Sequence, residues 1–138
     1  MRTLVIGESL IDIVHRPDGS SQEHVGGSPA NVAIGLARLG HDVTLATMIG
    51  EDERGSRIAD LLHDEGVGLT RGSIGQRRTS VATSTLDATG AATYSFDLAW
   101  QVGEDQRIPR GPLRRLGRRC LDADQRIARG GGCGLRPQ

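Results

Sequence analysis

The sequence predicts an α/β fold, because two short apolar runs that end in glycine alternate with two amphipathic segments of helical character. The apolar runs are TLVIG (residues 3–7) and DVTLATMIG (residues 42–50), and their aliphatic and β-branched residues are typical of buried parallel strands. The helical segments cover residues 28–40 and 51–66. This strand–helix–strand–helix order indicates a parallel sheet with right-handed crossovers.

The first helical segment carries a signal at each end. Ser28 is a candidate N-cap, and Pro29 stands at the first helical position, where its missing N–H costs nothing. Gly40 provides the stop signal at the other end. Three apolar residues at spacing i, i+4 and i+7 are predicted to face the core, namely Val32, Leu36 and Leu39.

The second helical segment begins within the acidic run GEDERG (residues 50–55). Three acids at a helix start could form an anion or metal loop, but capping and interaction with the helix dipole account for them more simply. Gly66 ends the segment. The residues predicted to contact the core are Ile58, Leu61 and Leu62.

Two further stretches are predicted to be extended. LIDIVH (residues 10–15) follows the first strand and precedes the turn signal RPDGSS. Residues 79–100 favour two strands around a DATG turn, with Tyr94, Phe96 and Leu98 on one face of the return strand. We therefore expect an antiparallel hairpin attached to the α/β core.

The composition limits both the core and the location of the protein. Of the 138 residues, 36% are hydrophobic, and the only aromatic residues are Tyr94, Phe96 and Trp100, so the core must be aliphatic. No apolar run approaches the roughly 18 residues that a membrane helix needs, and no secretory signal pattern is present. We expect one domain, no membrane association and a cytoplasmic location.

The formal net charge of zero hides an asymmetry along the chain. Residues 1–101 carry 8 arginines against 13 acids, whereas residues 102–138 carry 9 arginines against 4 acids. The second part is rich in Arg and Gly and has no usable period, so we expect a poorly ordered tail. Its Cys120 and Cys133 fit neither a CxxC motif nor a zinc site and are expected to be free thiols. Its arginines lack interleaved aromatics, so no specific nucleic-acid binding is expected.

A glycine pair before the first helix is the strongest candidate site. Gly26 and Gly27 allow a ligand to approach the main chain, and the helix start directs N–H groups to the same place. Asn31, one turn on, offers a donor and an acceptor, which suits a hydroxyl better than a phosphate. Asp12 follows the first strand and could accept hydrogen bonds from two neighbouring hydroxyls of a polyol, with Glu8 as a weaker candidate. A plain strand-to-helix turn and an exposed loop acid remain the alternatives.

Other common sites are missing from the sequence. It contains no GxxxxGK[ST] motif and no lysine. No GxGxxG follows the first strand, which counts against a dinucleotide-binding domain. The four histidines have no metal-ligand spacing, and we predict no metal site among His15, His24, His41 and His63.

Residues 1–101 resemble the amino-terminal part of the PfkB (ribokinase-like) carbohydrate kinases, and the fructokinase-type branch in particular. Four segments in order carry the resemblance: GESLID, GGSPANVAIGLARLG, TMIGEDERG and TSVATSTLDATGAATYSF. The resemblance implies a partial Rossmann-like ribokinase fold with a small β-sheet lid. The lid strands would lie at about residues 10–25 and 79–98.

The resemblance also implies transfer of the ATP γ-phosphoryl group to a sugar hydroxyl, with ATP and Mg²⁺ as cofactors. Asp12 and Asn31 would hydrogen-bond the sugar hydroxyls, and Gly26 and Gly27 would provide the backbone contact beneath the sugar. The lid would close over the sugar and exclude water, and it would offer a surface for a homodimer. The lid residues named by this resemblance are Thr83, Tyr94 and Phe96.

The sequence also departs from the family pattern. The family's catalytic base is an aspartate in a G-A-G-D-type motif near the carboxyl terminus of a longer chain, and no such motif occurs in these 138 residues. We therefore predict no catalytic residue in this chain, no firm ATP binding and no measurable kinase activity. We expect a truncated or frameshifted member, with residues 102–138 read out of frame.

Two other classes of function stay open. One is a noncatalytic sugar-binding or dimerisation module that keeps Asp12, Asn31 and the lid. The other, disfavoured by the missing GxGxxG motif, is a dinucleotide-binding α/β domain. The sequence does not specify which sugar is bound.

Overall fold

The computed structural model describes residues 2–99, which form three sheets and two helices. Trp100 and the expectations for residues 102–138, including the ordering and reading frame of the tail and the state of its two cysteines, lie outside the described residues. The elements in chain order are β1 (Arg2–Ile6), β2 (Leu10–His15), β3 (Ser21–Gly26), α1 (Ser28–Arg38), β4 (Asp42–Ala46), β5 (Ile49–Gly50), α2 (Glu53–Asp64), β6 (Gly68–Leu69), β7 (Ile74–Gly75), β8 (Ser80–Leu86) and β9 (Ala92–Asp97).

A parallel sheet with strand order β1-β4-β6 forms the centre of the α/β part. This confirms the α/β fold class predicted from the alternating apolar runs. The prediction that β1 is buried holds only in part, because β1 pairs with β4 alone among residues 2–99 and Ile6 at its end is 52% exposed. The inner strand β4, in contrast, is buried from Val43 to Ala46.

The second apolar run is two strands rather than the single strand predicted over residues 42–50. β4 ends at Ala46, and β5 pairs instead with β7 in a separate two-stranded parallel sheet. The backbone changes partner at this point, since the Ile49 N–H donates to the Ser73 carbonyl at 2.8 Å. The Thr47 N–H meets the Ser73 hydroxyl at 3.4 Å.

Helix α1 begins one residue earlier than predicted and turns a different face to the core. Gly27 is the N-cap, so the assignment of Ser28 as N-cap was wrong, and no side chain caps this helix among the described residues. Gly40, with φ +86°, follows the helix end as predicted. The predicted core stripe was also wrong in part, because Val32 is 53% exposed and Leu39 is 77% exposed.

Small side chains explain the choice of face on α1. Ala30 and Ala33 are fully buried, and Ala37 packs partly against the same core. These alanines recur at i, i+3 and i+7, so they form a stripe that lets the helix backbone approach the sheet closely. The larger residues at the predicted positions are thereby displaced to the flank, although Leu36 remains partly buried.

Gly35 within α1 and Gly40 just after its end are expected to have opposite stability effects on substitution with alanine. Gly35 is exposed within the helix, has no atom within 4 Å of an added Cβ, and should gain about 1 kcal/mol in Gly35→Ala. Gly40 also has open space but adopts φ +86°, so Gly40→Ala should lose about 1 kcal/mol. Urea unfolding followed by circular dichroism measures both, and changes of the same sign would contradict the assignment.

Helix α2 largely follows the prediction. Asp52 is its N-cap, Ile58 and Leu62 are fully buried, and Leu61 is only half-buried. Gly66, with φ +78°, follows its end. The core is aliphatic, as the composition requires, and consists of Ile11, Ala30, Ala33, Val43, Leu45, Ile49, Ile58, Ala59, Leu62 and Val67.

A four-stranded sheet with order β3-β2-β8-β9 stands beside this core. β2 lies in the interior of the sheet, antiparallel to β3 and parallel to β8, and β8 forms the predicted antiparallel hairpin with β9. The sheet therefore joins residues separated by some seventy positions in the chain. No helix within residues 2–99 is long and apolar enough to cross a membrane.

Candidate functional site

The register of the four-stranded sheet places Asp12 on the same face as the two lid aromatics. Asp12 pairs with His24 on one side and Ala82 on the other, and Ala82 pairs in turn with Phe96. Directly paired residues project to the same face of a sheet. Tyr94 belongs to this face too, since it lies two residues from Phe96 and the two rings stack at 6.3 Å between centroids.

Thr83 lies on the other face of the four-stranded sheet. It follows Ala82 directly in β8, so its side chain projects away from the side that carries Asp12. It pairs with Ile13, which packs against the hydrophobic core. The structure thus groups Asp12 with Tyr94 and Phe96 but separates Thr83 from them.

Asp12 lies directly against the glycine pair. A Cβ at Gly26 would stand 2.0 Å from Asp12 Oδ2 and 3.0 Å from its Cγ, so the carboxylate occupies the space that any side chain at position 26 would take. Asp12 is half-buried within strand β2, which removes the alternative of an exposed loop acid. The absence of a side chain at Gly26 is what permits this arrangement.

Gly27 brings the start of α1 against the loop between β1 and β2. It adopts φ +105°, and a Cβ there would stand 2.6 Å from the Glu8 carbonyl oxygen. A Cβ at Gly7 in the same loop would stand 2.2 Å from Pro29 Cγ. The loop backbone and the first turn of the helix are therefore in close contact, which fixes the start of α1 beside Asp12.

Asn31 lies one turn into α1, with its N–H bonded to the Gly27 carbonyl at 3.0 Å. Its side chain is exposed, and among residues 2–99 its amide makes no hydrogen bond. The helix start also has no side-chain cap in the described part of the chain. The candidate segment thus consists of Gly26 and Gly27, the Asp12 carboxylate that lies against Gly26, and Asn31, whose N–H is bonded to Gly27.

The acidic segment before α2 contributes Asp52 to a hydrogen-bond network, the Asp52–Thr79 network, that joins the helix start to the residue before β8. Asp52 accepts hydrogen bonds from the Gly55 N–H at 2.8 Å, from the Thr79 N–H at 2.8 Å and from the Thr79 hydroxyl at 2.6 Å. The Gly50 N–H donates to the Thr79 hydroxyl oxygen at 3.0 Å. Asp52 is thus the N-cap of α2, which supports the capping interpretation of the acidic run. Within residues 2–99 no group of three or more His, Cys, Asp or Glu could hold a metal.

The Asp52–Thr79 network changes the pKa of the Asp52 carboxyl. Burial raises its pKa, but the hydrogen bonds from the Thr79 hydroxyl, the Thr79 N–H and the Gly55 N–H outweigh burial and hold the pKa below the ordinary value of 3.8. The ionised form is therefore favoured in the folded protein relative to the unfolded chain.

We expect the stability contributed by Asp52 to be full above about pH 4 and to disappear as the pH falls through its depressed folded-state pKa. Asp52→Asn should therefore lower the free energy of unfolding by about 2 kcal/mol at pH 7, with a smaller difference from wild type in acid. Urea unfolding between pH 7 and pH 2.5 tests this. Asp60→Asn, at an exposed position of α2, is the control, and a variant difference independent of pH would contradict the assignment.

Sequence reasoning missed three charged residues that join β3 to α2. Glu23 accepts hydrogen bonds from Arg54 and from Arg57, the latter at 2.7 Å between Nη1 and Oε2. A signal was present in the sequence, because Glu23 lies two residues before Val25. In a strand the two side chains share a face, and Val25 packs against the core. A carboxylate on such a face usually has a cationic partner.

The parallel sheet, its two helices and the adjoining four-stranded sheet define a ribokinase-like α/β protein. The pfkB family carbohydrate kinase model matches residues 2–106, and the chain belongs to that family. A fructokinase of Salmonella typhimurium is 33% identical over 93 residues, which cover 67% of this chain and 30% of the relative.

Solved structures give the same result. The crystal structure of a fructokinase from Xylella fastidiosa with bound ATP is similar at TM-score 0.62 and 34% identity, over 71% of this chain and 30% of that one. A ribokinase from Cryptococcus neoformans in complex with ADP is similar at TM-score 0.62 and 28% identity, over 70% of this chain and 34% of the other. The chain thus spans about a third of the length of these relatives.

Proposed function

We propose that residues 2–99 are the sugar-binding part of an ATP-dependent sugar kinase of the fructokinase type. The observation that carries the proposal is the Asp12 carboxylate held against Gly26, on the sheet face shared with Tyr94 and Phe96. Membership of the carbohydrate kinase family and the similarity to fructokinases support the choice of a sugar as ligand.

Each group in the segment suits a polyol. The Asp12 carboxylate can accept hydrogen bonds from two adjacent hydroxyls, and the Asn31 amide can both donate and accept. Gly26 and Gly27 leave the main chain open to close approach. The exposed rings of Tyr94 and Phe96 offer apolar faces to the C–H surface of a sugar, as expected of a lid that excludes water during phosphoryl transfer.

ATP and Mg²⁺ enter the proposal through the family alone. The described residues do not fit a protein-ligated metal site, since they contain no group of three or more His, Cys, Asp or Glu that could hold one. We therefore derive no step through either group. The Xylella fastidiosa relative has been solved with ATP bound, which supports ATP as the phosphoryl donor of the family.

A noncatalytic sugar-binding or dimerisation module is the second candidate. The stacked pair Tyr94 and Phe96 is 63% and 64% exposed, and Leu98 beside it is also exposed. Such an apolar group suits either a lid that closes over a ligand or a contact between two copies of the chain. Under either candidate function we also propose a cytoplasmic location and a division of the chain near residue 101.

Titration calorimetry with fructose, ribose and glucose tests the proposal on the 138-residue protein. We expect one sugar to bind, and Asp12→Asn to weaken its binding roughly tenfold, because the amide loses one acceptor and the charge. Asp60→Asn should bind like wild type. Absence of sugar binding by wild type would overturn the proposal.

An ATP-coupled phosphorylation assay on the same preparation tests the predicted absence of the family's catalytic base. We expect the sugar to bind without turnover, which either candidate allows. Phosphorylation of the bound sugar would favour the kinase and would contradict the prediction that this chain has no measurable kinase activity.

A further inference from the structure

The start of α2, from its N-cap Asp52 to Arg57, is attached to both strands that flank β2. On one side, Arg54 and Arg57 bind the Glu23 carboxylate of β3, and Arg57 also reaches the Glu23 carbonyl oxygen at 3.4 Å. On the other side, Asp52 binds the N–H and hydroxyl of Thr79, immediately before β8. Since β2 lies between β3 and β8, the helix start holds it from two sides without contacting Asp12 in either set of bonds.

The two attachments have a direct path to the candidate site. Glu23 pairs across the ladder with Ile13 of β2, and its neighbour His24 pairs with Asp12. On the side of β8, Asp12 pairs with Ala82, three residues after Thr79. A displacement of β3 or β8 relative to α2 would therefore be passed to β2 and would move the Asp12 carboxylate within the candidate site.

We propose that Glu23, Arg54 and Arg57 are positioning residues that set the place of Asp12 in the sugar site. This inference rests on the proposed sugar-binding function. Asp52 supplies the second attachment but also caps α2, so its removal would disturb the helix itself. The Glu23 cluster has no such second role within the described residues, which makes it the informative place to test the effect.

The Glu23 cluster is suited to hold a defined geometry. One carboxylate engages two guanidinium groups through separate oxygens, and all three side chains are at least half covered. The hydrogen bond from Arg54 lowers the pKa of Glu23, burial opposes this, and the bond from Arg57 lowers it further, so the carboxylate stays charged at neutral pH. A second ion pair, Arg38–Glu65, joins the carboxyl-terminal ends of α1 and α2 with bonds of 2.8 and 2.6 Å and does not involve the four-stranded sheet.

The test compares Glu23→Gln with Arg38→Gln, which removes the other ion pair. We expect Glu23→Gln to weaken binding of the sugar selected by wild type roughly fivefold, and Arg38→Gln to change it by less than about 1.5-fold. Arg57→Gln, which keeps the Arg54 bond, should give an intermediate loss and serves if Glu23→Gln does not fold. Exchanging the charges in Glu23→Arg with Arg54→Glu should recover part of the affinity lost in Glu23→Arg alone.

Amide hydrogen exchange provides a readout that does not depend on sugar. Glu23→Gln should speed exchange in β2 and β3 severalfold while leaving β1 and β4 unchanged, whereas Arg38→Gln should leave β2 and β3 unchanged. Unchanged exchange in β2 and β3 of Glu23→Gln would overturn the inference whether or not wild type binds a sugar. Absence of sugar binding by wild type would overturn only the proposed function. Wild-type sugar affinity in Glu23→Gln would also overturn the inference.

Discussion

Gly55→Ala is expected to lower the free energy of unfolding by about 3 kcal/mol, because the added methyl has no space to enter. A Cβ at position 55 would stand 1.9 Å from the Gly50 carbonyl oxygen and 2.9 Å from the Thr79 hydroxyl. Gly50 cannot retreat easily, since its N–H is bonded to Thr79 and a Cβ on Gly50 would itself stand 2.5 Å from the Arg77 carbonyl oxygen. The added methyl would therefore clash with the Gly50 backbone, which has little space to move away.

Urea unfolding at pH 7 measures this loss, with Gly75→Ala as the matched control. Gly75 has no heavy atom within 4 Å of an added Cβ and no positive φ, so its substitution should change the free energy of unfolding by less than about 0.5 kcal/mol. If Gly55→Ala lowered the free energy of unfolding as little as Gly75→Ala, the close packing of Gly55 against Gly50 and Thr79 would be wrong.

The Asp52–Thr79 network has one part that local sequence predicts and one part that it does not. An acid at the start of a helix predicts capping, and Asp52 is indeed the N-cap of α2. The two further bonds to Thr79 span 27 positions, and no local pattern relates residue 52 to residue 79. The glycines at 50 and 55 look like ordinary turn residues in the sequence and owe their place to that distant contact.

Helix α1 gives a complementary case. Its existence and its end just before Gly40 followed from local signals, but its buried face did not. The spacing of the larger apolar residues favoured Val32 and Leu39, whereas the sheet selects the alanine stripe because small side chains allow closer helix–sheet packing. Hydrophobic periodicity ranks faces by apolarity, and it does not include the separation at which helix and sheet must pack.

The candidate site divides in the same way. The resemblance brought Asp12, Gly26, Gly27 and Asn31 together as a set, and in the structure Asp12 lies against Gly26 while the Asn31 N–H is bonded to the Gly27 carbonyl. Thr83 was named with the lid aromatics because it belongs to the same hairpin. The register of β8 against β9, in which Ala82 and not Thr83 pairs with Phe96, shows that Thr83 projects to the face opposite the aromatics. The register of β8 against β2 likewise places it opposite Asp12, and strand register is not readable from either strand alone.

Gly26→Ala is expected to weaken sugar binding roughly tenfold while changing the free energy of unfolding by less than about 1 kcal/mol. Gly26 lies in strand β3 without a positive φ, so alanine suits its backbone. The new Cβ would stand 2.0 Å from Asp12 Oδ2, and the carboxylate must rotate away, whereas the nearest other atom, Leu10 Cδ1 at 3.4 Å, is at ordinary contact distance.

A double-mutant cycle isolates this effect from a general loss of structure. Asp12→Ala removes the group that alanine at position 26 would displace, so the double variant should bind no more weakly than Asp12→Ala alone. Calorimetry gives the affinities, and urea unfolding of the same samples gives the stabilities. Independent, multiplicative losses in the double variant would mean that Gly26 contributes by its own backbone contact to the ligand and not by making room for Asp12. Non-additive losses would identify the missing side chain at position 26 as the reason that a carboxylate can occupy this part of the site.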